Sequence, residues 1–265
     1  MIDMEKTLLL SQGDLKINCK WFAPDEGPVR RIVLGVAGIG GTTEDPIQVG
    51  IAQEMEMYYS ATFRFDFPGH GASPMDSETG LTLENCLATV DAVATFAREQ
   101  YPDVEDLCIF ATGFGAYITL IALQHLREMP GKIKLVIQTP SLRVHDALLA
   151  MKGISEPTLR AMDKMTFDSN KAKRPLDITY SFYRELQAND VFTTYPIPIL
   201  ILMGEEDAYI PRRDVENFRR INPLSKLVTI PGVKHRFMEE GAWDMVLDLT
   251  RDWFEFEQVL LCDYE

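Results

Sequence analysis

The chain has 265 residues, of which 46% are apolar and 25% charged, a length and composition that suit one large soluble domain with a buried core. Its formal net charge is −14, from 26 basic and 40 acidic residues. Nucleic acids and anionic membrane surfaces attract clustered lysine and arginine, so this charge balance argues against both as partners.

The predicted elements alternate along the chain between short apolar strands and amphipathic helices. Strands are predicted over residues 8–10, 15–21, 32–36, 61–67, 107–111, 133–137, 197–203 and 227–230. Helices are predicted over residues 45–59, 82–101, 114–127, 212–221 and 242–256. Strands separated by helices indicate an α/β fold with a mostly parallel central sheet covered on both faces. We expect one domain over residues 1–265.

The segment 142–190 interrupts this alternation, because it is polar, mixed in composition and has no clear strand pattern. A long irregular insertion before a strong strand is usually a lid or a binding element. We therefore interpret it as a lid inserted into the domain. A surface excursion without a role in function is the alternative.

A sharp turn at Gly113 separates a predicted strand from a predicted helix. The segment reads Ala111-Thr112-Gly113-Phe114-Gly115, which is the strand–turn–helix setting of the G-x-S-x-G nucleophile elbow. Glycine tolerates the left-handed backbone of that turn but supplies no oxygen or sulfur for attack. Thr112 carries the nearest hydroxyl along the chain, but we expect its side chain to point away from the site. The sequence predicts an elbow that has lost its nucleophile.

Two candidate catalytic residues follow the last two predicted strands. Asp207 lies in an acidic loop, where it is preferred to Glu205 and Glu206 as the residue that orients a histidine. His235 precedes the last helix. The chain order of nucleophile position, acid and histidine is the one used with the G-x-S-x-G elbow. Both residues stand at the carboxyl edge of the sheet, where α/β proteins bind ligands, so we expect them beside Gly113.

These motifs together resemble the α/β-hydrolase superfamily over nearly the whole chain, and they are closest in pattern to cinnamoyl and feruloyl esterases. The resemblance rests on the turn motif at residues 65–73, the acid loop at 203–207 and the histidine loop at 232–235. It implies an α/β-hydrolase fold and a small carboxylic ester or acyl compound as ligand. The insertion at 142–190 falls where that family carries its lid.

The resemblance also implies an oxyanion hole formed by the backbone amides of Ile39 and Phe114. Two positions depart from the family pattern: Gly113 replaces the serine, and Ala37-Gly38 replaces a His-Gly pair. Backbone donors do not depend on their own side chains, so the hole is expected to persist. Acyl-enzyme chemistry, in contrast, loses its usual attacking atom.

Two other histidines need an interpretation. His70 lies in the turn motif and is expected to be structural, as in the resembled family. His145 lies in the insertion and is a candidate substrate contact, with a solvated surface histidine as the alternative.

The sequence predicts no cofactor. The histidines lack the spacing of a metal site, and the glycine-rich stretch at 38–41 matches neither G-x-G-x-x-G nor a phosphate-binding loop. Cys86 and Cys108 are expected in the core. The amino-terminal residues lack the pattern of a signal peptide and no apolar run is long enough to span a membrane, so we expect a cytoplasmic protein.

Three functions fit these observations, and the oligomeric state is not indicated. The first is an esterase-like protein that lacks the usual nucleophile. The second is an enzyme in which Asp207 and His235 act as a general base without covalent catalysis. The third is a ligand-binding protein on a hydrolase scaffold, which Ala37 and Gly113 favour because two positions of the site have changed.

Overall fold

The computed structural model describes residues 5–74, 80–125, 132–167 and 175–257. The strands are β1 Lys6–Gln12, β2 Leu15–Phe22, β3 Arg31–Val36, β4 Ser60–Phe65, β5 Asp106–Thr112, β6 Ile133–Gln138, β7 Lys164–Phe167, β8 Leu176–Thr179, β9 Ile199–Gly204 and β10 Ser225–Ile230. The helices are α1 Pro46–Glu56, α2 Leu83–Gln100, α3 Gly113–His125, α4 Val144–Lys152, α5 Glu156–Met162, α6 Tyr180–Ala188, α7 Arg212–Ile221 and α8 Ala242–Phe256.

Eight strands form one sheet in the order β1-β2-β4-β3-β5-β6-β9-β10. The pairs β1·β2 and β2·β4 are antiparallel, and all other neighbours in this sheet are parallel. Apolar side chains of α1 and α8 pack on one face, and those of α2 and α3 pack on the other. The predicted α/β architecture, with a mostly parallel sheet flanked by helices, is therefore confirmed.

Most element boundaries agree with the sequence pattern. The helices predicted at 212–221 and 242–256 have those bounds, and Thr82 caps α2 by accepting a hydrogen bond from the Asn85 amide at 3.1 Å. The helix predicted to reach Tyr59 ends instead at Glu56, because Tyr59 has a φ of +56° and turns the chain into β4. The end predicted for α3, at residue 127, lies outside the described residues.

The insertion at 142–190 is more regular than its sequence suggested. It contains α4, α5, the antiparallel hairpin β7–β8 and α6. These elements are short, and short helices are marginal without tertiary packing, so they leave a weak pattern. The Tyr117 hydroxyl on α3 lies 2.9 Å from the carbonyl oxygens of both Leu186 and Asn189, which attaches the end of α6 to the central domain. The role of the insertion as a lid remains a prediction.

The cysteines expected in the core are there, because Cys86 and Cys108 are both buried free thiols. Burial raises the pKa of each thiol, which keeps it protonated and unreactive. Among the described residues, no helix is long and apolar enough to cross a membrane.

Candidate functional site

Asp207 and His235 are in direct contact at the carboxyl edge of the sheet. The Nδ1 atom of His235 lies 2.9 Å from Oδ2 of Asp207. The Asp207 side chain is fully buried, whereas 27% of the His235 side chain is exposed. A buried carboxylate next to Nδ1 favours the tautomer that carries its proton on that nitrogen, which leaves the lone pair on Nε2.

Backbone contacts between the two loops hold this pair together. The loop after β9 carries Asp207, and the loop after its parallel neighbour β10 carries His235. The amide of Glu206 donates to the carbonyl of Val233 at 2.9 Å. A Cβ atom on Gly204 would lie 2.2 Å from that same carbonyl oxygen, so only glycine permits this approach of the loops. The carboxylate of Glu205 instead accepts a hydrogen bond from the amide of Gly232 at 3.2 Å.

The second oxygen of Asp207 is held by the backbone. Oδ1 accepts hydrogen bonds from the amides of Tyr209 at 2.9 Å and Ile210 at 3.1 Å. Burial by itself raises the pKa of the Asp207 carboxyl, but the hydrogen bond and charge of His235, together with these amides, outweigh burial and hold that pKa below its usual range. The carboxylate is therefore charged at neutral pH and fixes the histidine ring, against which the Tyr209 ring packs at 5.1 Å between centroids.

The turn at Gly113 has the strand–turn–helix form of a nucleophile elbow. Strand β5 ends at Thr112, Gly113 has a φ of +48°, and α3 begins at Gly113. A Cβ atom on Gly115 would lie 2.4 Å from the carbonyl oxygen of Ala37, so α3 approaches the end of β3 too closely for any side chain there. The small residues that the sequence pattern singled out therefore serve a close approach of helix and strand.

The two predicted oxyanion donors lie on neighbouring parts of the sheet edge. Ile39 is in the loop after β3, and Phe114 is in the first turn of α3, directly after β5, which pairs with β3. Amides in the first turn of a helix have no intrahelical partner and carry the positive end of the helix dipole. Thr112 is oriented towards this loop, since its Oγ1 would lie 3.5 Å from a Cβ atom on Gly38.

The turn after β4 is built around Asp66. Its carboxylate accepts from Asn18 Nδ2 at 2.7 Å, the Thr43 amide at 2.8 Å and the Ala72 amide at 2.8 Å. Gly71, with a φ of +46°, has no room for a side chain beside that carboxylate. His70 is 1% exposed, and its Nδ1 lies 3.0 Å from the Pro68 carbonyl oxygen. This burial fits the structural role expected for His70.

His145 lies on the second residue of α4, with its ring 6.2 Å from that of Tyr183 on α6. Its Nδ1 is buried and has no hydrogen-bond partner in the part of the chain that the structure describes. The expected substrate contact stays a prediction. The alternative of a solvated surface histidine stays a prediction too, because 16% of the side chain is exposed and its Nε2 lies 3.6 Å from Oδ1 of Asp146.

Ser141 was missed by the sequence interpretation. It follows β6, and its amide donates to the carbonyl of Gly113 at 3.2 Å. Two residues earlier, Thr139 has a φ of +43°, which is unusual for a β-branched residue. In the sequence, Ser141 is marked only by its position shortly after a predicted strand. Serines in such positions are too common for this pattern to single out one of them.

The described ranges contain no group of three or more histidine, cysteine, aspartate or glutamate side chains that could hold a metal ion. A model of the alpha/beta hydrolase family matches residues 52–249 of the sequence. The chain belongs to the alpha/beta hydrolase family. A search among curated proteins found no match.

Solved structures with the same fold share little sequence identity with this chain. Est1E from Butyrivibrio proteoclasticus, with ferulic acid bound, has a TM-score of 0.77 and 22% identity over 93% of this chain and 97% of its own. Mouse alpha/beta hydrolase domain-containing protein 10 has a TM-score of 0.74 and 15% identity over 96% and 100%. A monoglyceride lipase variant from Saccharomyces cerevisiae, in complex with a substrate analogue, has a TM-score of 0.72 and 15% identity over 97% of both chains.

Proposed function

We propose that this protein is an esterase-like hydrolase for a small carboxylic ester or acyl compound, in which His235 is the base. The observation that carries the proposal is the 2.9 Å contact between His235 Nδ1 and a fully buried Asp207 carboxylate. A buried charge is expensive unless it is paired and hydrogen-bonded, and this one is held by the imidazole and two amides. Such an arrangement orients a histidine for proton transfer and stabilises the imidazolium that forms.

The remaining parts of the proposed site are residues at the same carboxyl edge of the sheet. Gly113 stands at the nucleophile position of the elbow, and the amides of Ile39 and Phe114 are the donors for the oxyanion. Backbone amides at a helix start stabilise the negative charge that develops on a carbonyl oxygen during attack. His235 Nε2 receives the proton of the hydroxyl that attacks the ester, which Gly113 itself does not supply, and returns that proton to the leaving alcohol.

The proposed substrate class is supported by the relatives with the same fold. Est1E binds ferulic acid, and the yeast enzyme is a monoglyceride lipase bound to a substrate analogue. We extend the proposal to the insertion at 142–190 as a lid and to His145 as a substrate contact. The lid assignment is supported by the Phe182 ring on α6, which packs 6.1 Å from the ring of Phe114 next to the elbow.

The proposal is tested by restoring an oxygen at the elbow. A Cβ atom on Gly113 would have Ser141 Oγ as its nearest neighbour, at 4.0 Å, so Gly113→Ser has room for its side chain. We expect Gly113→Ser to hydrolyse members of a panel of aryl and short acyl esters faster than the wild type. Gly113→Ala is the matched control, because it adds the same carbon without the hydroxyl. A Gly113→Ser variant that is no more active than Gly113→Ala on the whole panel would contradict the proposal.

Ligand binding without turnover is the second candidate, and Ala37 together with Gly113 favours it, because neither supplies the side chain of the family pattern. A ligand that binds only the folded state raises its melting temperature. The second candidate predicts compounds that stabilise the wild type without being converted, and little effect of His235→Ala on their affinity. Ligands that are consumed during the measurement would exclude it.

A further inference from the structure

The turn after β6 points a serine at the position where the elbow lacks a side chain. A Cβ atom on Gly113 would lie 4.0 Å from Ser141 Oγ and would have no other described atom within that distance apart from its chain neighbours and the backbone of its own helix. In a Gly113→Ser variant, the hydroxyl oxygen would be bonded directly to that Cβ atom. Ser141 Oγ therefore borders the space that a normal nucleophile of this fold occupies.

The backbone holds Ser141 in this place. Its amide donates to the carbonyl of Gly113 at 3.2 Å, so the serine is anchored on the elbow itself. The preceding turn is strained, because Thr139 is 5% exposed and has a φ of +43°. The Thr139 amide donates to the carbonyl of Leu202 on β9 at 2.8 Å, which fixes the strained residue between two strands. Non-glycine residues in such conformations cluster at functional sites, where the surrounding structure maintains them.

The hydroxyl of Ser141 is also available for chemistry. The side chain is half-buried and therefore partly accessible. Thr112, the other hydroxyl near the turn, lies instead towards Gly38 in the loop after β3. Of the two hydroxyls, only that of Ser141 borders the space above Gly113.

We propose that Ser141 supplies the nucleophilic hydroxyl that position 113 lacks; this inference rests on the function proposed above. Ser141 Oγ attacks the carbonyl carbon of the ester while its proton passes to Nε2 of His235. The tetrahedral intermediate collapses, the bond to the alcohol oxygen breaks, and His235 protonates the departing alcohol. Water then attacks the acyl-Ser141 carbonyl, with His235 again accepting the proton, and releases the acid and the free serine.

The test uses an alkyl fluorophosphonate on the full-length wild type, followed by peptide mass mapping. The serine oxygen attacks phosphorus and fluoride leaves, so the adduct identifies the activated hydroxyl. We expect one adduct, on Ser141, and a labelling rate lower by on the order of 100-fold or more in Ser141→Ala and in His235→Ala. Thr112→Val is the matched comparison, and its adduct should still form on Ser141. Because the adduct is mapped in the wild type, the result does not depend on how the variants fold.

A double variant separates this inference from the function on which it rests. Gly113→Ser/Ser141→Ala restores the usual nucleophile and removes the proposed one. If this variant is labelled at position 113 while the wild type is not labelled, Ser141 is not the nucleophile and the proposed function stands. If neither protein is labelled, both proposals are wrong. A wild-type adduct on another residue, or ester hydrolysis that depends on His235 but not on Ser141, also overturns the role of Ser141.

Discussion

Gly115 and Ala37 lie so close together that a methyl group on Gly115 would be 2.4 Å from the carbonyl oxygen of Ala37. This approach seats the start of α3 against the end of β3 and brings the first turn of α3, which carries Phe114, next to the loop that carries Ile39. Because the obstacle is backbone on both sides, it has little freedom to move away. The arrangement of the proposed oxyanion donors therefore depends on a residue without a side chain.

Gly115→Ala should lower the free energy of unfolding by on the order of 2–3 kcal/mol, through overpacking against the backbone. Gly50→Ala is the matched control, because Gly50 is also helical and its Cβ would meet only the flexible end of Leu247, at 3.3 Å. In the Gly50→Ala variant, the higher helix propensity of alanine contributes up to about 1 kcal/mol. The free energy of unfolding of this variant should therefore equal or exceed that of the wild type. Urea denaturation of both variants measures the difference, and equal effects would contradict the explanation.

Gly113→Ser and Gly113→Ala should both lose about 1–2 kcal/mol of unfolding free energy, because a side chain at a φ of +48° is strained although it has space. Gly153→Ala provides the control outside the site. Gly153 has a φ of +64° and nothing within 4 Å of its Cβ position, so its loss should be similar. A much larger loss at Gly113 than at Gly153 would mean that the elbow has no room for a nucleophile.

Asp207 should make a pH-dependent contribution to stability. Its pKa in the folded protein lies below the value of about 3.9 for an unperturbed aspartate, so its stabilising contribution is present above that pH. The contribution should be lost as the pH falls towards the folded-state pKa. Compared with Asp207→Asn, the wild type should therefore keep its advantage in unfolding free energy from pH 7 down to about pH 4 and lose it progressively as the pH falls further. An advantage that stays constant or grows in acid would contradict this prediction.

Tyr117→Phe should loosen the insertion from the domain. The change removes a hydroxyl that lies 2.9 Å from two carbonyl oxygens at the end of α6, a loss of about 1 kcal/mol. Amide hydrogen exchange should become faster in α6 and remain unchanged in β5. Tyr195→Phe is the control, because this buried hydroxyl donates instead to the carbonyl of Val191, outside α6. If the amide hydrogen-exchange rate in α6 rises equally in both variants, the prediction that Tyr117 attaches α6 to the domain is wrong.

The placement of Asp207 and His235 could be predicted because the carboxyl ends of parallel strands lie at the same edge of a sheet. Each of the two residues follows a predicted strand, so the sequence analysis placed both at that edge. Their hydrogen bond depends further on Gly204, whose missing side chain lets the two loops touch. The sequence interpretation preferred Asp207 to Glu205 and Glu206, and this choice agrees with the contact observed between Asp207 and His235.

Other features depended on information that no local pattern contains. The proximity of Ser141 to Gly113 requires β6 to lie beside β5 and Thr139 to adopt a left-handed backbone against its own preference. The short helices of the insertion form because tertiary packing compensates for their length, so hydrophobic periodicity alone did not reveal them. In both cases the decisive contacts are between residues distant in the chain.

The central claim, that Asp207 orients His235 as a base for acyl chemistry, is tested most directly by one comparison. It is the ratio of kcat/KM between Gly113→Ser and Gly113→Ser/His235→Ala on the most reactive aryl ester. We predict that loss of the imidazole lowers kcat/KM by at least about 100-fold, the lower end of what general base catalysis contributes. If the two variants hydrolyse the ester equally well, His235 is not the base and the account is wrong.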